Sequence, residues 1–365
     1  MNKIKISALL FVVASLIAGC GEQDKSASTA SQSTETQQKF KWKLVTSWPK
    51  NFPGLGVTPE KFAKNVEAMS NGRLKITVYG AGEIVPGFEV FDAVSNGTAE
   101  MGHSGPYYWK GKIPAAQVFS SLPFGMNAQE MNGWLHHGGG LALWQEVYKP
   151  FGIIPLAGGN TGVQMAGWFK KEINSLDDLK GLKMRIPGLG GEVIKRLGAV
   201  PVTLTGGELF TALQSGAIDA TEWVGPYNDL AFGLNKAADY YYYSGWHEPG
   251  TVLEFLINEK AYNALPKDLQ AIVKVAARAA NQDMLDEYTA RNISALKQLQ
   301  AQENVQLRAL PDSVMTALRE TTQQVIAEQA AQDPQLNKVW QSYSSFYKEV
   351  RAFHSLTEQQ YYQNR

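Results

Sequence analysis

The sequence predicts an α/β protein in which one chain builds two lobes and then continues into long helices. From Trp42 onward, short apolar strands alternate with helical segments, a rhythm that is typical of mostly parallel sheets. The rhythm restarts after Gly158 with a second series of strands and helices, and from Leu265 the pattern is helical. The stretch from Phe40 to Arg365 is long enough to hold two lobes.

The N-terminus predicts a secreted protein. Lys3 and Lys5 precede an apolar run that is short for a membrane span, and the run ends in Ile17-Ala18-Gly19-Cys20. This arrangement resembles a bacterial lipoprotein processing site, so we expect residues 1–20 to be a signal peptide with its lipobox and Cys20 to carry lipid. An ordinary signal peptide or a lone buried thiol is the alternative. Residues 21–39 are polar and predict a flexible linker.

Composition excludes several classes of function. Cys20 is the only cysteine of the chain, so the folded part has neither disulfides nor cysteine-based metal or nucleophilic sites. The formal net charge is +0, whereas binding to nucleic acid requires a basic face. No second apolar stretch approaches transmembrane length.

The elements of the first lobe follow from turn residues and from the spacing of apolar residues. Alternation in LKITVY predicts a strand, and Asn71-Gly72 ends the helix before it. In order, we expect a strand over 42–46, a helix over 60–69, a strand over 74–79, a helix over 88–94 and a strand after Gly102.

The second series runs from Val163 to Val224, and the tail follows it. We expect strands over 163–169, 183–186, 202–204 and 220–224, with helices over 192–197 and 208–215. Thr251 to Ile257 is an apolar strand that could return the chain to the first lobe. In the tail, Val339 to Phe353 carries an apolar stripe after the helix start at Asp333-Pro334. We expect this stripe to pack on the protein's own body, with a contact between subunits as the alternative.

Tests for enzyme motifs fail. Pro187–Gly191 follows a predicted strand like a dinucleotide-binding turn, but it lacks the third glycine, and no acidic residue follows the next strand. No nucleotide is expected, although the N–H groups at the helix start suit an anion. His136 and His137 are adjacent and point apart, and a proline soon after His247 excludes a helical zinc motif. We expect the histidines to be surface or structural residues, and the protein not to be an enzyme.

Three segments, read together, carry a family resemblance. SLDDLKGLKMRIPG from Ser175, LGAVPVT from Leu197 and GAIDATEW from Gly216 resemble the solute-binding subunits of tripartite ATP-independent periplasmic (TRAP) transporters. LPKDLQ from Leu265 extends the likeness into the tail. The resemblance implies a two-lobed, hinged periplasmic solute-binding protein, of the Venus-flytrap type, that closes over its ligand. Its partner would be the membrane subunits of the transporter, driven by an ion gradient.

The resemblance also implies boundaries for the lobes. We expect a first lobe over 40–162 and 252–310, a second lobe over 163–251 and a C-terminal helical extension over 311–365. The long tail and the segment GWHEPG from Gly245 look most like the subgroup that binds 2-oxo acids and lactate. That subgroup contains dimers joined through the C-terminal helices, so a homodimer is left open.

Within that subgroup, the arginine after the Lys-Met strand is implied to pair with the ligand carboxylate. Here it is Arg185, whose planar guanidinium can meet a carboxylate with two charge-assisted hydrogen bonds. Tyr108, Asn160, Gln164 and Trp223 match further substrate-binding positions, and Tyr107 competes with Tyr108 for its role.

The same resemblance implies a cation, sodium or calcium, that bridges ligand and protein. The matching ligands all supply oxygen, as hard cations require: Gln164, Glu222, the Trp223 carbonyl and Glu248. The alternative is a simple salt bridge between these carboxylates and the arginine. His247 departs from the aromatic residue that is often found in this subgroup and leaves the particular acid open.

The functional hypothesis is a periplasmic, lipid-anchored receptor that binds a small monocarboxylate, such as pyruvate or lactate, and delivers it to a membrane permease. One alternative is a receptor for a dicarboxylate or sugar acid without metal. Another is a periplasmic lipoprotein enzyme that acts on a keto acid. Gly21 after the lipidated cysteine leaves inner or outer membrane anchoring open.

Overall fold

A computed structural model describes residues 38–365. The signal peptide, Cys20 and most of the linker predicted over 21–39 lie outside these residues. Eleven strands occur in the described part, and they are β1 (Phe40–Thr46), β2 (Leu74–Tyr79), β3 (Met101–Ser104), β4 (Ile153–Asn160), β5 (Gly167–Phe169), β6 (Lys183–Arg185), β7 (Val200–Val202), β8 (Ala220–Thr221), β9 (Tyr240–Tyr243), β10 (Val252–Asn258) and β11 (Gln306–Ala309).

Helices cover both sheets and form the C-terminal part of the fold. They are α1 (Val57–Met69), α2 (Val90–Ser95), α3 (Ala128–His137), α4 (Gly140–Tyr148), α5 (Gly188–Arg196), α6 (Leu209–Ser215), α7 (Pro226–Phe232), α8 (Glu259–Asn263), α9 (Lys267–Gln300), α10 (Asp312–Gln332), α11 (Pro334–Leu356) and α12 (Glu358–Asn364). Among the described residues, none of these helices has both the length and the apolar character of a membrane span.

The first sheet has the order β2-β1-β3-β10-β4. Its β1, β2 and β3 run parallel, and β10 is antiparallel to both of its neighbours, β3 and β4. Nearly every residue of β10 is buried, as expected for a strand covered on both faces. The predicted return of the chain to the first lobe near Thr251 is therefore confirmed.

The second sheet has the order β11-β9-β5-β8-β6-β7. Here β5 is antiparallel to β8 and β9, while β6 runs parallel to β7 and β8. The predicted strands over 163–169 and 220–224 are shorter than expected, because residues 163–166 and 222–224 form loops at the strand ends. Those loops carry Gln164 and Glu222.

The expected boundary of the first lobe at residue 310 is wrong for one strand. Gln306–Ala309 pairs in parallel with Tyr240–Tyr243 and so belongs to the second sheet. The 34-residue helix α9, about 51 Å long, explains the difference. Leu269 near its start packs in the core beneath the first sheet, whereas Leu299 near its end packs with the second. The chain has therefore crossed to the second lobe before β11 begins.

The C-terminal helices pack on the body of the same chain along the first part of the predicted stripe. Val339 and Tyr343 are buried, and the Tyr343 hydroxyl accepts a hydrogen bond from the Met126 backbone N–H at 2.7 Å. Farther along, Phe353 and Leu356 are exposed. The expectation that the stripe packs on its own body is confirmed through Phe346 and Val350, which pack against the core, and is wrong at Phe353.

Candidate binding site between the two sheets

Arg185 is the centre of the candidate site. It ends β6, which runs parallel to β8 with Arg185 beside Thr221, so that Glu222 leaves the neighbouring strand next to it. The Arg185 guanidinium forms an ion pair with the Glu222 carboxylate, and both side chains are buried, 2% and 0% exposed. Its Nε donates to the Leu204 carbonyl at 3.2 Å, and its Nη2 donates to the Tyr108 hydroxyl at 3.3 Å.

Burial and charge act in opposite directions on Arg185. Burial alone would lower the pKa of its guanidinium, but the nearby Glu222, Tyr108, Tyr107 and Glu248 together outweigh this effect and the pKa is raised. For Tyr108 the two effects have the opposite signs: burial raises the pKa of the phenol, and the positive charge of Arg185 lowers it by a smaller amount. Arg185 is therefore a permanent positive charge in an apolar setting, and Tyr108 is a neutral hydrogen-bonding partner beside it.

A cluster of potential metal ligands adjoins this ion pair. One ligand atom from each of Glu222, His247 and Glu248 lies within 4.8 Å of the others, and all three residues are buried. The Nε2 atom of His247 is 3.3 Å from Oε2 of Glu222. His247 was expected to be a surface or structural residue, but it belongs to this cluster. Its position next to Glu248 in the sequence was the one signal that could have indicated this.

Gln164 joins the cluster from the loop between β4 and β5. Its Nε2 donates to Glu248 Oε2 at 2.7 Å and to Thr161 Oγ1 at 3.0 Å. The same Glu248 oxygen accepts a hydrogen bond from Thr251 Oγ1 at 2.6 Å. The carbonyl oxygen of the Gln164 amide is buried and has no hydrogen-bond partner within residues 38–365. Sequence reasoning missed Thr161 and Thr251, because threonines at loop positions carry no distinguishing pattern.

The charge of the cluster favours an additional cation. Burial, and then the nearby Glu222 charge, raise the pKa of the Glu248 carboxyl to about 7. Two carboxylates thus face one arginine, which leaves excess negative charge in a buried place unless a proton or a cation neutralises it. The unpartnered Gln164 oxygen and the two carboxylates are hard oxygen donors. The residues present therefore fit Na⁺ or Ca²⁺.

A small cavity opens beside Arg185 between the two sheets. It is small and has mostly aromatic and apolar walls, with lining residues Trp48, Leu55, Tyr107, Tyr108, Thr161, Gln164, Trp223, Val224 and Leu253. The Trp223 ring also lies under Arg185, with the guanidinium carbon 4.9 Å from the ring centroid. A larger cavity of ≈ 650 Å³ lies against α10 and α11, but none of the predicted site residues lines it. The chemistry therefore lies at the smaller cavity.

Of the five predicted substrate-binding side chains, those of Arg185, Tyr108, Gln164 and Trp223 come together here. Asn160 does not line the cavity. Its Nδ2 donates to the Gly250 carbonyl at 3.2 Å, and its Oδ1 accepts from the Gly162 N–H at 2.8 Å. These bonds join the loop that carries Gln164 to the segment that carries Glu248. A contact between Asn160 and a ligand stays a prediction. Trp48 was missed by sequence reasoning, because a buried tryptophan gives no signal that separates a cavity wall from a core position.

The two mixed sheets with a buried arginine and carboxylate cluster between them define an α/β solute-binding protein. The chain belongs to the family described as bacterial extracellular solute-binding protein, family 7 (DctP), whose model matches residues 44–333. Its members include the TRAP-type solute receptors, as the sequence resemblance indicated.

Three relatives illustrate the similarity. A monocarboxylate 2-oxoacid-binding periplasmic protein of Nostoc is 48% identical over 321 residues, 88% of each chain. A TRAP periplasmic solute-binding protein of Colwellia psychrerythraea, solved with bound calcium and pyruvate, has a TM-score of 0.88 and 46% identity, covering 90% of this chain and 100% of its own. A TRAP periplasmic solute-binding protein of Pseudoalteromonas atlantica, solved with bound sodium and pyruvate, has the same TM-score, identity and coverage.

Proposed function

We propose that this protein is the extracytoplasmic receptor of a TRAP transporter that binds a small monocarboxylate, a 2-oxo acid such as pyruvate or the 2-hydroxy acid lactate. The observation that carries the proposal is the buried Arg185 beside the Glu222–Glu248 cluster. A single buried guanidinium supplies one carboxylate-binding group, and the aromatic walls exclude water, which strengthens its pairing with an anion. The ligands named for the relatives support the same class.

In this proposal each side chain has a distinct role. Arg185 pairs with the ligand carboxylate, the Tyr108 hydroxyl contributes a hydrogen bond, and Trp223 and Trp48 form the walls. Gln164, Glu222, Glu248 and the Trp223 backbone carbonyl would hold a Na⁺ or Ca²⁺ ion. That ion would supply positive charge to the oxygen atoms of the ligand. Asn160 fixes the two cation-binding loops to each other and is proposed as a further ligand contact.

A monocarboxylate fits the cavity better than a dicarboxylate. The residues that line the cavity include neither lysine nor arginine, so Arg185 is the one cationic side chain that the described residues bring to it. A second carboxylate would therefore be buried without a partner, at considerable cost. The small size of the cavity also favours a small acid over a sugar acid.

The residue types in the Glu222–His247–Glu248 cluster also support a receptor without catalytic activity. The cluster contains no serine or cysteine nucleophile, and its histidine faces a carboxylate. Incubation of the protein with a 2-oxo acid, followed by NMR, tests this part of the proposal. An unchanged spectrum after hours is expected, and new signals from a product would instead support the keto-acid enzyme.

We further propose that Cys20 is lipidated and anchors the mature protein to a membrane on the periplasmic side. The support is the small-residue run before Cys20 and the polar sequence after it. Labelling of cells with a palmitate analogue should mark the wild type and leave Cys20→Ser unmarked. Fractionation of the labelled membranes then distinguishes the inner from the outer membrane. A wild type without label would contradict the anchor.

A homodimer through the C-terminal helices is also proposed. Phe353 and Leu356 are 60% and 77% exposed near the end of α11, and Tyr361 and Tyr362 in α12 are exposed as well. Exposed apolar side chains grouped on one terminal segment favour an interface. Light scattering should give the mass of a dimer for the wild type and of a monomer for Phe353→Asp. A monomeric wild type would contradict the proposal.

Calorimetric titration of the soluble domain, starting near Gln38, tests the central proposal. Pyruvate, lactate, longer 2-oxo acids and succinate are each added with chelator, with sodium or with calcium. We expect binding of a monocarboxylate that weakens or fails when the required cation is removed. Binding of succinate alone, regardless of cation, would favour the dicarboxylate receptor and leave the cation site without support.

A further inference from the structure

The charged side chains of the site are buried between the lobes, and this burial has a kinetic consequence. Arg185, Glu222 and Glu248 are all buried. A small acid therefore cannot reach Arg185 unless the two lobes separate, and it cannot leave until they separate again. Contacts that join the lobes outside the cavity thus help to set how long a ligand stays bound. This inference rests on the proposed function.

We propose that Lys110 is such a contact, a positioning residue that latches the first lobe onto helix α5. Its Nζ donates a hydrogen bond to the Gly188 carbonyl oxygen at 2.8 Å. The same Nζ also donates to Glu192 Oε1 at 3.3 Å. Gly188 is the first residue of α5, three positions after Arg185. Lys110 follows the short helical turn Pro106–Trp109, which leads from β3 of the first lobe.

One short segment of the first lobe therefore contacts the second lobe twice. Tyr108 reaches the Arg185 guanidinium, and Lys110 reaches the helix start just beyond it. The approach is close: Gly188 has a φ of +61°, and a Cβ there would lie 3.4 Å from the Tyr107 Cβ. Glycine is suited to this position because the backbone is left-handed. The lobes thus meet through a fitted contact at this edge.

Stabilisation of helix α5 does not explain the position of Lys110. A positive charge near the N-terminus of a helix is unfavourable, because the helix dipole is already positive there. Glu192, one turn into α5, pairs with Lys110 and offsets this charge. The hydrogen bond to the Gly188 carbonyl joins two lobes and is lost when they separate. What Lys110 stabilises is therefore the closed arrangement.

The strength of the latch is limited by solvent. The Lys110 and Glu192 side chains are 35% and 39% exposed, so the ion pair between them is screened and the bond to the carbonyl carries most of the effect. Loss of the latch should speed opening and leave the encounter with the ligand unchanged, because encounter occurs in the open form. The effect should appear in the dissociation rate.

The experiment compares Lys110→Met with a matched control, Lys112→Met. Lys112 is two residues away, is similarly exposed, and pairs with Asp92 within the first lobe. Pyruvate with calcium or sodium is the probe, and binding is followed by stopped-flow fluorescence of the tryptophans that line the cavity. We expect Lys110→Met to raise the dissociation rate about three- to tenfold without lowering the association rate. Lys112→Met should have the dissociation rate of the wild type. Lys110→Arg, which keeps the positive charge, should have a dissociation rate between those of the wild type and Lys110→Met.

Two results would overturn the latch. Equal dissociation rates for Lys110→Met and Lys112→Met would show that the contact does not hold the lobes. A fall in the melting temperature of ligand-free Lys110→Met, together with a lowered association rate, would show a general structural role. If the wild type binds no monocarboxylate, the proposed function fails by itself. Small-angle scattering then decides the latch, which requires a larger radius of gyration for Lys110→Met than for Lys112→Met.

Discussion

Arg185 at the end of β6 and Glu222 directly after the parallel strand β8 form an ion pair that is buried between the two lobes. Such a pair costs desolvation energy, which well-packed apolar residues of similar size would avoid. Its presence beside a cavity therefore favours a role in binding over a role in stability. The pair also holds Glu222 next to Glu248, so that the arginine and the cation ligands are positioned together.

Removal of Arg185 should abolish binding and also reduce stability. In Arg185→Met, pyruvate loses its one cationic partner, and Glu222 stays buried without an opposite charge. We expect no measurable heat of binding and a loss of about 3–5 kcal/mol in the free energy of unfolding. The double variant Arg185→Met with Glu222→Gln should recover stability without binding. Retained pyruvate affinity in a folded Arg185→Met protein would contradict the assignment.

Glu248 should control the affinity for the cation. Glu248→Gln removes one negative ligand but keeps the size of the side chain. In calcium titrations with pyruvate present, we expect calcium affinity to fall on the order of tenfold or more, because the charge of the ligands sets the affinity of such sites. Glu254→Gln is the control, since Glu254 is another buried carboxylate and lies outside the cluster. Equal calcium affinities for the two variants would argue against a cation at Glu248.

Leu253 should limit the size of the acid. It is buried in β10 and lines the cavity, so Leu253→Ala enlarges the space beside Arg185. We expect the wild type to bind pyruvate more tightly than longer 2-oxo acids. In Leu253→Ala this difference in affinity should become smaller or change sign. Leu256→Ala should keep the wild-type order, because Leu256 is buried in the same strand away from the cavity. An unchanged order in Leu253→Ala would contradict the proposed position of the ligand.

Glu254 should make stability depend on pH. The carboxyl is buried, accepts a hydrogen bond from Trp109 Nε1 at 2.5 Å, and burial raises its pKa from 4.5 to about 8. Between these values the folded state keeps a proton that the unfolded chain releases. Stability from this group is therefore complete below about pH 4.5 and is lost as the pH rises through about 8.

Urea unfolding of the wild type and of Glu254→Gln measures this dependence. Between about pH 5 and pH 8, the wild type should lose on the order of 2–4 kcal/mol relative to Glu254→Gln, which cannot titrate. Glu303→Gln, an exposed control, should follow the wild type. Parallel pH curves for the wild type and Glu254→Gln would show that the buried carboxyl does not titrate in this range.

The sequence predicted much of the architecture because the strands of these sheets are short apolar runs that turn residues separate. The restart after Gly158 and the return at Thr251 both correspond to real passages between sheets. The strand Gln306–Ala309 was missed because its four residues, QLRA, form a very short run with one strongly apolar residue; it pairs with Tyr240–Tyr243. A strand stabilised mainly by its partner leaves little trace in its own sequence.

By itself, the sequence determined the class of the protein and indicated Arg185, Glu222 and Glu248 as candidate site residues, because they stand in motifs that resemble those of the family. Only the tertiary structure decided which side chains share one space. His247 joins the cluster, Asn160 ties two loops together, and Lys110 reaches Gly188 from 78 positions away. The physical reason is that burial and opposite charge act between atoms close in space, whereas a sequence pattern records only neighbours along one strand or helix.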